Sequence, residues 1–177
     1  INMIRNLMKR KRLDLSVGTI LSEISLAKNN LIGVEEFRAL YESDKTMIKV
    51  ANIYESYEKE KAKKYLLDFD DLLLETYFLL NDNDSIREKY ASRYHHILID
   101  EFQDTNPVQL EIIKLIVDTD NDNDKSYWIA GDDWQSIYSF AGASVNNILN
   151  FQSTFRSSTL FILNINYRST PQILKAC

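Results

Sequence analysis

Apolar residues recur at helical spacing through the first half of the chain. Val17, Ile20, Leu21, Ile24 and Ala27 share one face of a helix, as do Met47, Val50, Ala51 and Tyr54. The second set belongs to a long amphipathic helix expected over Thr46–Lys64, with a charged far side. Asp68 is placed to cap a further helix through Asp70, Leu72, Leu73 and Tyr77 to about Leu80. The polar string Asn81-Asp82-Asn83-Asp84 closes it, and Ser85 to Arg93 reads as one more short helix. After Tyr94 the pattern changes. Three apolar runs of strand length appear, Ile97–Ile99, Tyr127–Ala130 and Leu160–Ile165, each followed by a helical stretch. That alternation predicts parallel βα units. Asn106-Pro107 and Thr170-Pro171 each put a capping residue before a proline at the first helical position. The helix from Pro107 carries Val108, Ile112, Leu115 and Ile116 on one side, ready to cover a sheet.

Composition narrows the class. A chain of 177 residues, 45% of them hydrophobic, can bury a core as one domain or two small ones. It has no signal peptide and no apolar run long enough to span a membrane, which makes the cytoplasm the default location. The single cysteine, Cys177, excludes a disulfide framework or a cysteine metal site. The net charge of −5 argues against a general nucleic-acid coat protein. It is unevenly spread: residues 1–92 hold 15 Lys and Arg against 16 Asp and Glu, residues 93–177 hold 6 against 10. The basic clusters Lys9-Arg10-Lys11-Arg12 and Lys59, Lys61, Lys63, Lys64 suit phosphates, but a solvated helix face is the reading favoured for each.

The polar residues that follow the apolar runs carry the chemistry. Asp100 and Glu101 come directly after Ile97-Leu98-Ile99, in the string DEFQDTN. Two adjacent acids there suit a magnesium–nucleotide site, one carboxylate holding the ion and the other orienting or deprotonating a water. A solvated turn explains the dipeptide alone equally well. In open α/β sheets, ligands gather beyond the carboxyl ends of the strands, where this pair belongs. The second string, GDDWQSIYSFAGA at 131–143, brings Gln135, suited to sensing a terminal phosphate or positioning a water. Trp134 stands just before it, and Tyr138 and Phe140 follow; Tyr138 and Phe140 read as base-stacking rings, Trp134 equally as packing under a loop. The third, NYRST at 166–170, offers Tyr167 and Arg168: a ring for adenine and a guanidinium for phosphate oxygens, or simply a pair packed at a helix start.

Two other features read as structural. The loop Asp118–Asp124 lacks the Gly at 123 and the acid at 129 that a calcium loop would need, so an acidic connection is expected there. His95 and His96 have no companion ligands and are read as structural.

In this order the three strings resemble the second, third and fourth motifs of the UvrD/Rep-type superfamily 1 DNA helicases. ILSEISLAKNNL at 20–31 and LDFDDLL at 67–73 are similar to the helical insertion that precedes the second motif, so the resemblance covers nearly the whole chain. The DDWQSIYSFAGA form is similar to the helicase IV branch. The resemblance implies an α/β fold: a helical insertion subdomain over 1–92, then an incomplete RecA-like parallel sheet of P-loop NTPase type with flanking helices over 93–177. It implies ATP and Mg2+ as cofactors, with Asp100 on the metal, Glu101 as general base, Gln135 and Arg168 at the γ-phosphate and Tyr167 on adenine. Tyr138 and Phe140 would lie along single-stranded DNA, which family members track 3′ to 5′ as they unwind duplex.

Two departures matter. Phe140-Ala141 stands where most relatives carry Trp-Arg, removing a cation that could link nucleotide and DNA. No GxxxxGK[ST] loop occurs among the four glycines. The chain is therefore expected to be a fragment of a larger helicase, inactive alone, whose phosphate-binding loop and second motor domain lie in the rest of the parent chain. The competing readings are a non-catalytic helicase-derived module that binds DNA or protein, and a P-loop ATPase outside DNA metabolism. The aromatic third motif disfavours the ATPase.

Overall fold

A computed structural model describes residues 1–11, 15–117, 125–136, 142–144, 146–155 and 158–176. The described elements begin with α1 (Asn2–Lys11), α2 (Val17–Asn29), α3 (Val34–Leu40), α4 (Lys45–Lys64), α5 (Phe69–Asp82) and α6 (Asp84–Ala91). Then come β1 (His96–Ile99), α7 (Pro107–Val117) and β2 (Ser126–Ile129), and the one-turn helices α8 (Asn146–Leu149), α9 (Phe151–Thr154) and α10 (Pro171–Leu174). The expected α/β class holds, mostly helical with a short parallel sheet.

The helix boundaries follow from local chemistry. Ser16 caps α2 through its hydroxyl, which accepts from Thr19 N at 2.9 Å. Asp44 accepts from Thr46 N and Met47 N at 2.7 and 3.1 Å and so opens α4. Lysines 61, 63 and 64 in its last turn complement the helix dipole, and Tyr65 ends it in the left-handed conformation (φ 54°). Asp68 and Asp71 form a reciprocal capping box at the start of α5. Asn106 and Gln109 do the same for α7, at 2.9 and 3.0 Å.

The apolar stripes meet in one core: Ile4, Leu7 and Met8 of α1, Ile20, Ile24 and Ala27 of α2, Phe37 of α3, and Val50, Ala51, Ile53 and Tyr54 of α4. Beneath it lies a buried ionic cluster that local pattern does not reveal. Lys28 of α2 and Lys61 of α4 face Glu58, Asp68 and Asp71. Lys28 Nζ donates to Asp68 at 2.8 Å and Asp71 at 2.6 Å, and Lys61 Nζ to the same two acids at 2.9 and 2.5 Å. Glu58 Oε1 lies 3.0 Å from both ammonium groups without being aligned for a hydrogen bond to either. Tyr57 presents its ring to both cations. Burial opposes charge on Lys28, but its hydrogen bonds to Asp68 and Asp71 prevail and hold it ionised far into alkali. Burial likewise works against the Asp68 carboxylate, and the two lysines override it, holding that carboxyl far below the usual range.

The solvated-face reading is therefore corrected for Lys61, which is buried and paired. It holds for Lys59, Lys63 and Lys64, which sit exposed beside Glu55 and Glu60. Lys61 alone turns inward because its position on α4 aims it at the capping box of α5.

β1 and β2 pair in parallel, with His96 opposite Ser126 and Ile99 opposite Ile129. His96 Nδ1 meets Ser126 Oγ at 2.7 Å, the structural role expected of it. The third expected strand does not form. Residues 160–165 run without ladder pairing and Leu160, Phe161, Ile162, Leu163 and Ile165 are exposed, although Phe161 stacks on Trp128 of β2. A strand exists only by pairing, and no described residue supplies the partner. The main packing partners of α7 are α5, α6 and α2 rather than the sheet, because two four-residue strands offer too small an apolar face. The Asp118–Asp124 connection lies outside the described residues. No described helix is long and apolar enough to cross a membrane.

Candidate nucleotide site at the sheet edge

Asp100 and Glu101 leave the carboxyl end of β1, as expected. Asp100 Oδ1 accepts from Glu101 N at 2.9 Å, and Glu101 takes a left-handed backbone conformation (φ 50°, ψ 43°). For a residue with a Cβ this costs about 1–2 kcal/mol. The turn is held against that cost from both sides. Phe102 N donates to Ala130 O at 3.0 Å, just past β2, and the Phe102 ring is fully buried, edge-on to Phe151.

Gln103 supplies the decisive brace, and the sequence reading did not single it out. Its side chain is 1% exposed. Nε2 donates to Glu101 Oε2 at 2.7 Å and Oε1 accepts from Asp132 N at 3.0 Å, so one amide ties the exit of β1 to the exit of β2. The only signal in the sequence is its place, two residues after the acid and inside the same string; its burial comes from the approach of β2. Gly131 makes room for it. A Cβ there would lie 2.8 Å from Gln103 Oε1 and 2.7 Å from Ile148 Cδ1.

Past β2, Asp132 organises the next turn. Its carboxylate accepts from Trp134 N at 3.0 Å and from Gln135 Nε2 at 2.8 Å. Gln135 is therefore held on the same edge as Glu101, through Asp132 and Gln103. Trp134 is 92% exposed, so the packing alternative for its ring does not hold. Further links tie the residues just after the second string to the first: Ser144 N donates to Thr105 O at 3.1 Å, and Asn147 Nδ2 reaches Thr105 O and Oγ1 at 3.0 and 3.2 Å. Tyr138, Phe140 and Ala141 lie outside the described residues.

The third string stands apart. Asn166 Oδ1 accepts from Arg168 N and Ser169 N, each at 2.9 Å, and forms a tight turn. Tyr167 is 90% exposed. Among the described residues, no hydrogen bond, ion pair or ring contact joins Tyr167 or Arg168 to Asp100, Glu101 or Gln135. The structure thus brings together two of the three expected strings.

The chemistry of the edge suits a hard cation with phosphate oxygens. Asp100 and Glu101 are exposed and each keeps one carboxylate oxygen outside the hydrogen bonds described, the oxygen-only donor set magnesium prefers. Among the described residues, the one group of three acids close enough to hold a metal ion, Glu58, Asp68 and Asp71, already has two ammonium groups in that place.

The edge thus belongs to an α/β protein whose parallel strands present paired acids after one strand and a glutamine-bearing turn after the next. Residues 2–156 match the family model of the UvrD/REP helicase N-terminal domain, and the chain belongs to that family. It is 34% identical to the ATP-dependent DNA helicase PcrA of Bacillus subtilis (strain 168), over 99% of this chain and 24% of that protein. It is 37% identical to the probable DNA helicase II homolog of Mycoplasma capricolum, over 97% of this chain and 24% of that one. The chain thus spans about a quarter of the length of these relatives.

Proposed function

We propose that this chain is part of the first motor domain of an ATP-dependent DNA helicase that moves 3′ to 5′ on a single strand and unwinds duplex. Residues 1–92 form its helical insertion subdomain and 93–177 a partial RecA-like domain. Asp100 holds the magnesium of the bound nucleotide. Glu101 takes a proton from the attacking water, and Gln135 contacts the γ-phosphate. Tyr167 stacks on adenine and Arg168 offsets charge on the γ-phosphate. Tyr138 and Phe140 lie along single-stranded DNA. Arg168 and Tyr167 join the site when ATP draws the third string to the sheet edge, since catalytic contacts tighten on substrate binding. The partners are ATP, single-stranded and partly duplex DNA, and the remainder of the parent chain, in the cytoplasm.

The observation that carries this reading is the Gln103 amide, which fixes Glu101 and the Asp132–Gln135 turn to one edge. A turn braced this way suits hydrolysis, where base and sensor must keep a fixed relation. The 177 residues contain no GxxxxGK[ST] phosphate cradle, so the chain by itself is expected to turn over ATP negligibly. The test uses the full-length protein. Its ATPase should rise with single-stranded DNA, and Glu101→Gln should lower the stimulated kcat by roughly 10²–10⁴-fold. Stimulated turnover unaffected by Glu101→Gln would remove the general-base role; ATP-independent binding of DNA or protein with no turnover would favour the accessory-module reading.

A further inference from the structure

Asn29, the last residue of α2, sits where four separated segments meet, and no catalytic role has been given to it. It is buried, 4% exposed. Its Oδ1 accepts from Asn106 Nδ2 at 2.9 Å across 77 residues of chain. Its Nδ2 lies 3.3 Å from Ser25 Oγ and 3.4 Å from Asp70 Oδ1, linking it to α2 and to the first turn of α5. On its other flank is Gly142, with φ +88°. A Cβ on Gly142 would lie 3.2 Å from Asn29 Cβ and 3.6 Å from its Nδ2. Gly142, near the end of the second string, therefore has little room for a side chain beside Asn29.

Asn106 has no slack. Its Oδ1 caps α7 by accepting from Gln109 N, and its Nδ2 is committed to Asn29. It directly follows Thr105, whose carbonyl accepts from Ser144 N and Asn147 Nδ2. Three residues earlier stands Phe102, which follows Glu101. The helical part of the chain thus touches the third-motif segment at Gly142 and the end of the acid-pair turn at Asn106 through one side chain. An apolar residue of similar size would fill the space but would strand the Asn106 donor, at about 1–3 kcal/mol.

We propose that Asn29 is a positioning residue that couples the DNA-facing third-motif segment to the turn bearing Glu101, by holding Asn106 and Gly142 in fixed relation. The proposal rests on the helicase reading above and adds a residue to it. DNA bound at the third motif shifts Gly142 against Asn29, and Asn29 carries that shift to Asn106. The effect belongs in the DNA-stimulated rate. Hydrolysis without DNA needs only the local brace of Gln103.

The test measures ATPase of the full-length protein with and without single-stranded DNA. Asn29→Ala should lower the stimulated kcat roughly tenfold, within the usual span of coupling between sites. The basal rate and the KM for ATP should stay within about twofold, well below that span. Asn106→Asp keeps a good cap on α7, removes the donor to Asn29 and sets a carboxylate oxygen against its Oδ1. It should show the same split, and it supplies the answer if Asn29→Ala does not fold. The double variant should be no worse than the single ones, because all three break one link. A stimulation ratio equal to wild type, or stimulated and basal rates falling in proportion, overturns the proposal. A wild-type protein with no DNA stimulation is a different result: it removes the helicase reading and this inference with it.

Discussion

Lys28→Met is the sharpest probe of the helical part. Lys28 is 1% exposed and places its ammonium 2.6–3.0 Å from three carboxylates. The cluster holds two ammonium groups against three acids; the substitution leaves one against three. Methionine fills the space well, so the loss is electrostatic rather than a cavity. Removing one partner from a buried ion pair costs about 3–5 kcal/mol. Lys61 remains 2.9 Å from Asp68 and 3.0 Å from Glu58, which points to the lower end of that range. A loss of about 3 kcal/mol is roughly a 150-fold change in the folding equilibrium. In a chain of this size it lowers Tm by roughly 6–12 °C. Urea unfolding followed by far-UV circular dichroism measures it directly. The pH dependence adds a second check. The Asp68 carboxyl is held below its ordinary value, so its contribution is present above the unfolded value of about 3.9 and is lost as pH falls through the folded one. Without Lys28 that contribution is already reduced. The gap between wild type and variant should therefore narrow as the solution is acidified from about pH 5. A gap below about 1 kcal/mol at neutral pH, the scale of an exposed pair, would refute the buried-cluster argument. So would a gap that acid leaves unchanged.

Two further substitutions test backbone and packing claims. Tyr65 is 96% exposed and ends α4 at φ 54°, so Tyr65→Gly should raise stability by about 1 kcal/mol in the same urea assay; no gain would mean that its conformation carries no strain. Gly131→Ala pushes a methyl to within 2.8 Å of Gln103 Oε1, and should cost about 1–3 kcal/mol. In the full-length protein it should also depress the DNA-stimulated ATPase, because Gln103 must leave Glu101 or Asp132; wild-type stability and turnover together would show that the brace is dispensable.

The sequence by itself determined the elements whose causes are local. Asp68 and Asn106 announced helix starts by residue type, and each caps in the structure. The 3.6-residue periodicity of α2 and α4 named the faces that became the core. The strings after the first two apolar runs were legible as chemistry, and the edge formed by β1 and β2 brings Asp100, Glu101 and Gln135 to one end. Tertiary structure alone decided whatever depended on distant partners. Lys61 reads like Lys59, Lys63 and Lys64 in a basic string; only the approach of α5 turns it into half of a buried ionic pair. Residues 160–165 have every local mark of a strand and form none, because pairing is a property of two segments. Gln103 and Asn29 look like ordinary polar residues until β2 and α7 arrive beside them. The physical reason is common to all: caps and periodicity are fixed by interactions within about one helical turn, whereas the desolvation of a charge or an amide depends on which remote surface closes over it.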